Sequence, residues 1–191
     1  MELIDTIKKD LKETLSERRY IHSIGVMEMC AKLAQTYGVD VQKAQIAGLL
    51  HDIAKEMPKE EMFKYVEENN IEITEIEKIS YQILHGKIGA DIAKKKYGVD
   101  EQIQNAIKYH TTTSPEMDTL AKIVYVSDKI EMNRKSEGYD LEYERELAQK
   151  DLDKTVLYII DASIKSLVEK GKLIEKEVDT RNYLILKNLN R

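Results

Sequence analysis

The chain reads as an all-α protein, a helical bundle without sheet, on three observations. Nearly every stretch between turn signals repeats its apolar residues at three and four positions rather than at two. Eight glycines and two prolines in 191 residues leave little turn material for a many-stranded fold. Capping residues also stand where the periodic runs begin and end: Ser16 and Asp40 ahead of them, Gly38 and Gly98 behind. The length suits one domain with a substantial core, spanning 1–191.

Residues 2–15 form a charged amphipathic helix through Leu3, Ile7 and Leu11. Ser16 caps the next, 17–37, which Gly38 closes. It carries one stripe of His22, Val26, Met29 and Leu33 and another of Ile21, Ile24, Ala31 and Ala34, so it is the central buried helix. Asp40 caps a third helix running to about Lys55 on Val41, Ala44, Ile46, Leu49, Leu50 and Ile53, and Pro58 interrupts it. The polar stretch 59–79 holds a short helix, EEMFKYVEEN, and a weaker segment. Helices at about 86–97 and 100–110 follow, and TTTSP makes a turn at 111–115. Residues 118–134 form a further helix, and a charged loop with Gly138 leads on. The last long helix, 142–170, has Leu157, Ile160, Ile164, Leu167 and Val168 at helical spacing before Gly171. A short amphipathic helix through Tyr183, Leu184 and Leu186 closes the chain, with helices 142–191 packing on the preceding core.

Composition narrows the function classes. The chain is 42% hydrophobic and 34% charged, ordinary for a globular protein. A net charge of −5 without a basic block argues against nucleic acid as a partner, though a local positive pocket stays open. No stretch approaches the ~18 apolar residues of a membrane span, and MELIDTIKKD lacks the apolar core of a signal peptide. A cytoplasmic location is the expectation. Cys30, the single cysteine, permits no intramolecular disulfide and reads as a small buried hydrophobe.

The informative residues are polar ones on apolar stripes, because an unpaired buried charge is costly. His22 shares its stripe with Val26, Met29 and Leu33. His51-Asp52 ends IAGLLHD, where Gly48 leaves room for another helix to approach. Asp128 follows Val124 by four and Ala121 by seven in IVYVSDKIE. This N/O set suits iron, manganese, zinc, nickel or cobalt better than calcium. Each signal is weak alone. A lone histidine is more often a hydrogen-bonded core residue than a ligand. His85 and His110, at helix ends, read alone as surface histidines, and Asp128 as the partner of a lysine. Arg19, Lys55 and Arg134 stand near these residues in sequence, but among 30 Lys and Arg any one reads first as solvated surface. A satisfied polar core with no metal is the structural alternative.

The order His22, His51-Asp52, Asp128 resembles the HD-domain phosphohydrolase superfamily, and more closely its bacterial YqeK family. The matching stretches are RYIHSIGV (19–26), AGLLHDIAKEMP (47–58), ILHGKIGA (83–90), YHTTT (109–113) and VSDKIEMNR (126–134), covering roughly 18–135. All four histidines fall inside them. The resemblance implies an HD-domain helical bundle that hydrolyses diadenosine tetraphosphate symmetrically to two ADP, with iron as the metal, as one ion or two. By position it implies His22, His51, Asp52 and Asp128 as metal ligands. Arg19, Lys55, His85, His110, Thr111 and Arg134 become substrate contacts, with His22, Asp52 and Asp128 close enough to share that role. Asp52, Lys55, His85 and His110 become the catalytic candidates, although histidines at places similar to 85 and 110 hold a second metal in related HD proteins. The tail stretch 171–176, with Leu173 and Ile174, would approach the nucleotide.

Two departures from the family pattern stand out: Thr113 and Ser114 where it tends toward Gly, and Met132 where it has proline. The expected chemistry is attack by a metal-activated water on an inner phosphorus. Removal of phosphate or pyrophosphate from another nucleotide or from an alarmone is the alternative within the superfamily. A regulatory module that binds a nucleotide without cleaving it is the alternative outside enzymes, and its mark would be a lost ligand. A homodimer is compatible with such a helical domain, but nothing in the sequence specifies its interface.

Overall fold

In the computed structural model, which describes residues 2–135 and 140–189, the chain is helical throughout and no strand occurs among the described residues. The elements are α1 (Glu2–Thr14), α2 (Glu17–Tyr37), α3 (Val41–Leu50), α4 (Lys59–Glu68), α5 (Glu75–Ile79), a 3₁₀ turn (Tyr81–Leu84), α6 (His85–Tyr97), α7 (Glu101–Tyr109), α8 (Thr119–Ile130), α9 (Leu141–Lys150), α10 (Leu152–Glu169) and α11 (Glu177–Leu189). The caps act as the sequence implies. Ser16 accepts from Arg19 N, Asp40 from Lys43 N and Asp100 from Ile103 N, while Gly38 and Gly98 adopt the left-handed conformation that ends α2 and α6.

Helix α2 runs through the middle, buried along Val26, Met29, Cys30 and Leu33, with α3 and α8 packed against it. Leu33, Leu49, Leu50, Ile107, Leu120 and Ile123 are fully buried, each contributing roughly 1.5–3 kcal/mol of transfer free energy. Val156, Ile159 and Ile160 of α10 join the same core, so α9 and α10 lie on α8 and α11 packs on α10. A smaller cluster of Ala54, Met62, Val66, Leu84 and Ile88 holds α4 under α6.

Two glycines set the approaches that matter. A Cβ on Gly48 would lie 3.0 Å from Met27 Cα and 3.0 Å from Cys30 Sγ, so α3 crosses α2 nearly backbone to backbone. A Cβ on Gly86 would lie 2.8 Å from the Lys108 carbonyl oxygen, so α6 meets α7 equally closely.

Three boundaries differ from expectation. The third helix stops at Leu50, because residues 51–57 trade the α-helical ladder for i→i+3 turns, Ile53 N to Leu50 O and Lys55 N to Asp52 O. Helix α8 ends at Ile130, where Glu131 turns to extended backbone. The single helix at 142–170 is two helices: Asp151, at φ −152° and ψ 99°, breaks the backbone while its carboxylate caps Lys154 N. Gly138 lies outside the described residues.

Candidate active site

The histidines are oriented by their own backbone. His51, His85 and His110 each donate Nδ1–H to the carbonyl three residues earlier: Gly48 O at 2.7 Å, Gln82 O at 2.5 Å and Ile107 O at 2.6 Å. A carbonyl can only accept, so each neutral ring carries its proton on Nδ1 and turns a bare Nε2 inward. All three rings are fully or almost fully buried. His22 is oriented differently: its Nδ1 lies 3.2 Å from Glu131 Oε1.

The inward nitrogens converge on Asp52 and Asp128 in two groups. In the first, His22 Nε2 is 3.0 Å from Asp128 Oδ1 and 3.3 Å from His51 Nε2, with Asp52 Oδ2 at 3.4 Å from His51 Nε2. In the second, Asp52 Oδ1 is 3.1 Å from His85 Nε2 and 3.5 Å from His110 Nε2, and those two nitrogens are 3.0 Å apart. Asp52 therefore serves both groups, one oxygen to each. Donor triads His22–His51–Asp128 and His51–Asp52–His110 each bring their atoms within 4.8 Å.

These residues fit a divalent metal. Lone pairs of neutral imidazoles facing one another beside two carboxylates repel unless a cation or a proton lies between them. The titration behaviour says the same. Burial opposes charge on His51, yet Asp52 and Asp128 outweigh it and push the ring up to about 9, so a proton fills the place of a cation. Burial drives His110 down to about 4 and lowers His85, which stay neutral and ligand-like at pH 7. Burial would raise Asp52 and Asp128 too, but His51 beside Asp52 and Lys129 beside Asp128 hold both well below the carboxylate range. A neutral ring whose Nδ1–H already goes to a backbone carbonyl accepts at Nε2 rather than donates there. Burial also lowers Lys55, whose Nζ lies 3.3 Å from His85 Nε2.

The sequence-picked cations surround this cluster. Arg19 Nη1 contacts Asp52 Oδ2 at 2.5 Å. Arg134 donates from Nε to the Asp128 carbonyl and from Nη2 to Asp128 Oδ1. Thr111 Oγ1 lies 3.0 Å from His110 Nε2 and 3.2 Å from His85 Nε2. Leu173 is exposed and Ile174 half-buried, and neither borders the cavity above the cluster. Their segment is tied down nearby, through Thr74 Oγ1 to Glu175 and Thr113 Oγ1 to Thr180 Oγ1. Thr113 is buried in the left-handed conformation, φ 58°, which explains the glycine of the family pattern.

That cavity has a volume of about 660 Å³, with His22 on its floor and Arg18, Arg19, Arg134 and Lys135 on its walls. Sequence reasoning missed Glu131, Lys129, Arg18 and Lys135. Glu131 follows Asp128 by three residues, but α8 ends between them at Ile130, so no helical periodicity marked it.

The HD domain model matches residues 19–133, which include all six cluster residues. The chain belongs to the HD-domain family. This HD chain is 36% identical over 177 residues to the symmetrical bis(5'-nucleosyl)-tetraphosphatase of Bacillus subtilis (strain 168), covering 92% of this chain and 94% of that one. It is 35% identical over 182 residues to the protein of the same name from Staphylococcus aureus (strain NCTC 8325 / PS 47), covering 94% and 93%. A crystal structure of a predicted HD superfamily hydrolase involved in NAD metabolism from Clostridium acetobutylicum superposes with a TM-score of 0.91 at 39% identity, over 96% of this chain and 97% of that one. Among the described residues no helix is long and apolar enough to cross a membrane.

Proposed function

We propose that this protein is a metal-dependent hydrolase of the cytoplasm that cleaves diadenosine tetraphosphate symmetrically, giving two ADP. The observation that carries the reading is the basic cavity over the histidine–aspartate cluster, a place for a polyphosphate against a metal centre. Relatives that this chain matches along nearly their whole length are named symmetrical bis(5'-nucleosyl)-tetraphosphatases, and they support the same substrate. His22, His51, Asp52 and Asp128 would hold a divalent metal, iron in this reading. His85 and His110, with Asp52, would hold a second, and Thr111 completes the polar wall. A divalent metal, when bound, lowers the pKa of a coordinated water and polarises a phosphoryl oxygen.

The remaining steps belong to the protein's side chains. Arg19 and Arg134 offset the charge that spreads over the phosphoryl oxygens in the transition state. Lys55, from the buried side, supplies a cationic donor to the leaving diphosphate. Leu173 and Ile174 lie outside the cavity, and their segment would approach a nucleoside only where that nucleoside extends beyond the cavity. Purified protein given diadenosine tetraphosphate should release ADP as sole nucleotide, and a chelator should stop it. ATP plus AMP as products would overturn the symmetrical reading.

A further inference from the structure

Beside the large cavity lies a second one of about 180 Å³, sharing Arg134 and Lys135 with it. Lys129 on its wall is ion-paired to Asp128 at 2.6 Å, so the cavity begins one side chain from the metal cluster. Leu141 and Ile159 form its apolar sides, and Ser163 and Glu144 its polar ones.

Glu144 is the anomaly. It is 2% exposed, and its carboxyl has no hydrogen bond or ion pair among the described residues. The neighbouring cations are engaged elsewhere. Lys129 and Arg134 turn to Asp128, and Arg145 donates to the carbonyls of Ile130 and Glu131, each at 2.8 Å. The carboxylate oxygens are not sealed in the core, where Ser23 Oγ and Ser127 Oγ are the buried side-chain atoms without a partner among the described residues, so the Glu144 oxygens open into the cavity. A carboxyl aimed into a cavity and met by no protein donor is a place for the donor of a ligand.

Its chemistry follows from the lining. The ligand brings a hydrogen-bond donor to Glu144, flat apolar faces to Leu141 and Ile159, and negative charge to Lys129, Arg134 and Lys135. A nucleobase joined to a phosphate chain has all three. The volume suits a purine base alone, so the phosphates extend toward Arg134 and the cluster.

We propose that this cavity receives the adenine base of one half of the dinucleoside tetraphosphate, with Glu144 reading its amino edge. The inference rests on the diadenosine tetraphosphate reading above. Burial, with Asp140 adding to it, pushes Glu144 up to about 7. A carboxyl near half-protonation can donate to adenine N1 and accept from the N6 amino group. A glutamine amide does the same, and a leucine does neither.

The test is calorimetric binding of a methylene-bridged, non-hydrolysable diadenosine tetraphosphate to the metal-loaded protein, beside KM for the natural substrate. Glu144→Leu should weaken binding and raise KM about tenfold, while Glu144→Gln stays within about threefold of wild type. Leucine suits a buried apolar position, and a thermal melt verifies that the variant is folded. A folded Glu144→Leu that binds as tightly as wild type overturns the assignment, as does a Glu144→Gln as weak as Glu144→Leu. Wild type that fails to bind the analogue overturns the substrate reading itself, and the base site falls with it.

Discussion

His85 Nε2 and His110 Nε2 stand 3.0 Å apart, and each ring donates its Nδ1–H to a backbone carbonyl. Two lone pairs then face each other, and Asp52 Oδ1 adds full negative charge 3.1 Å from one of them. Thr111 has a single hydroxyl proton and reaches His110 Nε2 at 3.0 Å, while Lys55 Nζ stands 3.3 Å from His85 Nε2. Both rings stay neutral beside the Asp52 carboxylate, whereas in the His22–His51–Asp128 group His51 takes up a proton, so each side of Asp52 presents a donor set that a divalent cation would suit.

Metal analysis should accordingly return two divalent ions per chain. His110→Ala should keep one, since the first group does not use it, and His22→Ala should keep the other. Equal metal in wild type and His110→Ala would remove the second position. His51→Ala, which touches both donor triads, should lower the content further than either.

Glu131 should matter to the metal without touching it. Its carboxylate faces His22 Nδ1 at 3.2 Å, and its other oxygen accepts from Asn133 N at 2.6 Å, so it fixes the His22 ring and sharpens the basicity of Nε2. Glu131→Ala should weaken metal affinity about 10–100-fold in chelator competition. Glu131→Gln, which keeps an acceptor oxygen and loses the charge, should fall between. Wild-type affinity in Glu131→Ala would mean that the α2 backbone alone orients His22.

His22, His51, Asp52 and Asp128 were legible because each sits on an apolar stripe or beside one, while His85 and His110 read alone as surface histidines and joined them only through the family resemblance. Glu131 and Lys129 were not legible, since DKIEMNRK reads as a solvated charged run until α8 is seen to end inside it. Glu144 was hidden in the same way within LEYERELAQK. The break at Asp151 escaped because the apolar spacing runs on through 142–169 without a proline or glycine. Asp151 instead ends one helix and caps the next with the same residue. The division of the donors into two groups was the hardest to read, because it depends on which oxygen of Asp52 faces which ring.

His51 gives the metal-free protein a pH signature. Its folded pKa, about 9, lies above the ordinary 6.5, so its contribution to stability is complete below pH 6.5 and lost as pH rises toward 9. Urea melts of chelated protein should weaken across that window, and chelated His51→Gln should lack this component. Lys55, lowered by burial, acts in the opposite sense, so the difference between the two proteins is the quantity to read. Metal competes with the His51 proton, so metal affinity should rise with pH up to about 9. Affinity that is flat between pH 6.5 and 9 would show that His51 carries no proton for the metal to displace.

Gly86 and Gly98 bracket helix α6 and should fail in different ways when changed to alanine. A Cβ on Gly86 meets the backbone oxygen of Lys108 at 2.8 Å, and backbone cannot step aside as a side chain can. Helix α6 must retreat from α7, at a cost of about 1–3 kcal/mol for overpacking. His85 moves with it, away from His110, so activity and metal content should drop even in conditions where the variant is fully folded. A Cβ on Gly98 meets nothing within 4 Å, but its φ of +65° strains any L side chain, at about 1 kcal/mol. Gly98→Ala should therefore lower the urea midpoint with full metal and activity retained. If Gly86→Ala behaves like Gly98→Ala, losing stability alone, then the contact between α6 and α7 does not set the distance between the two histidines.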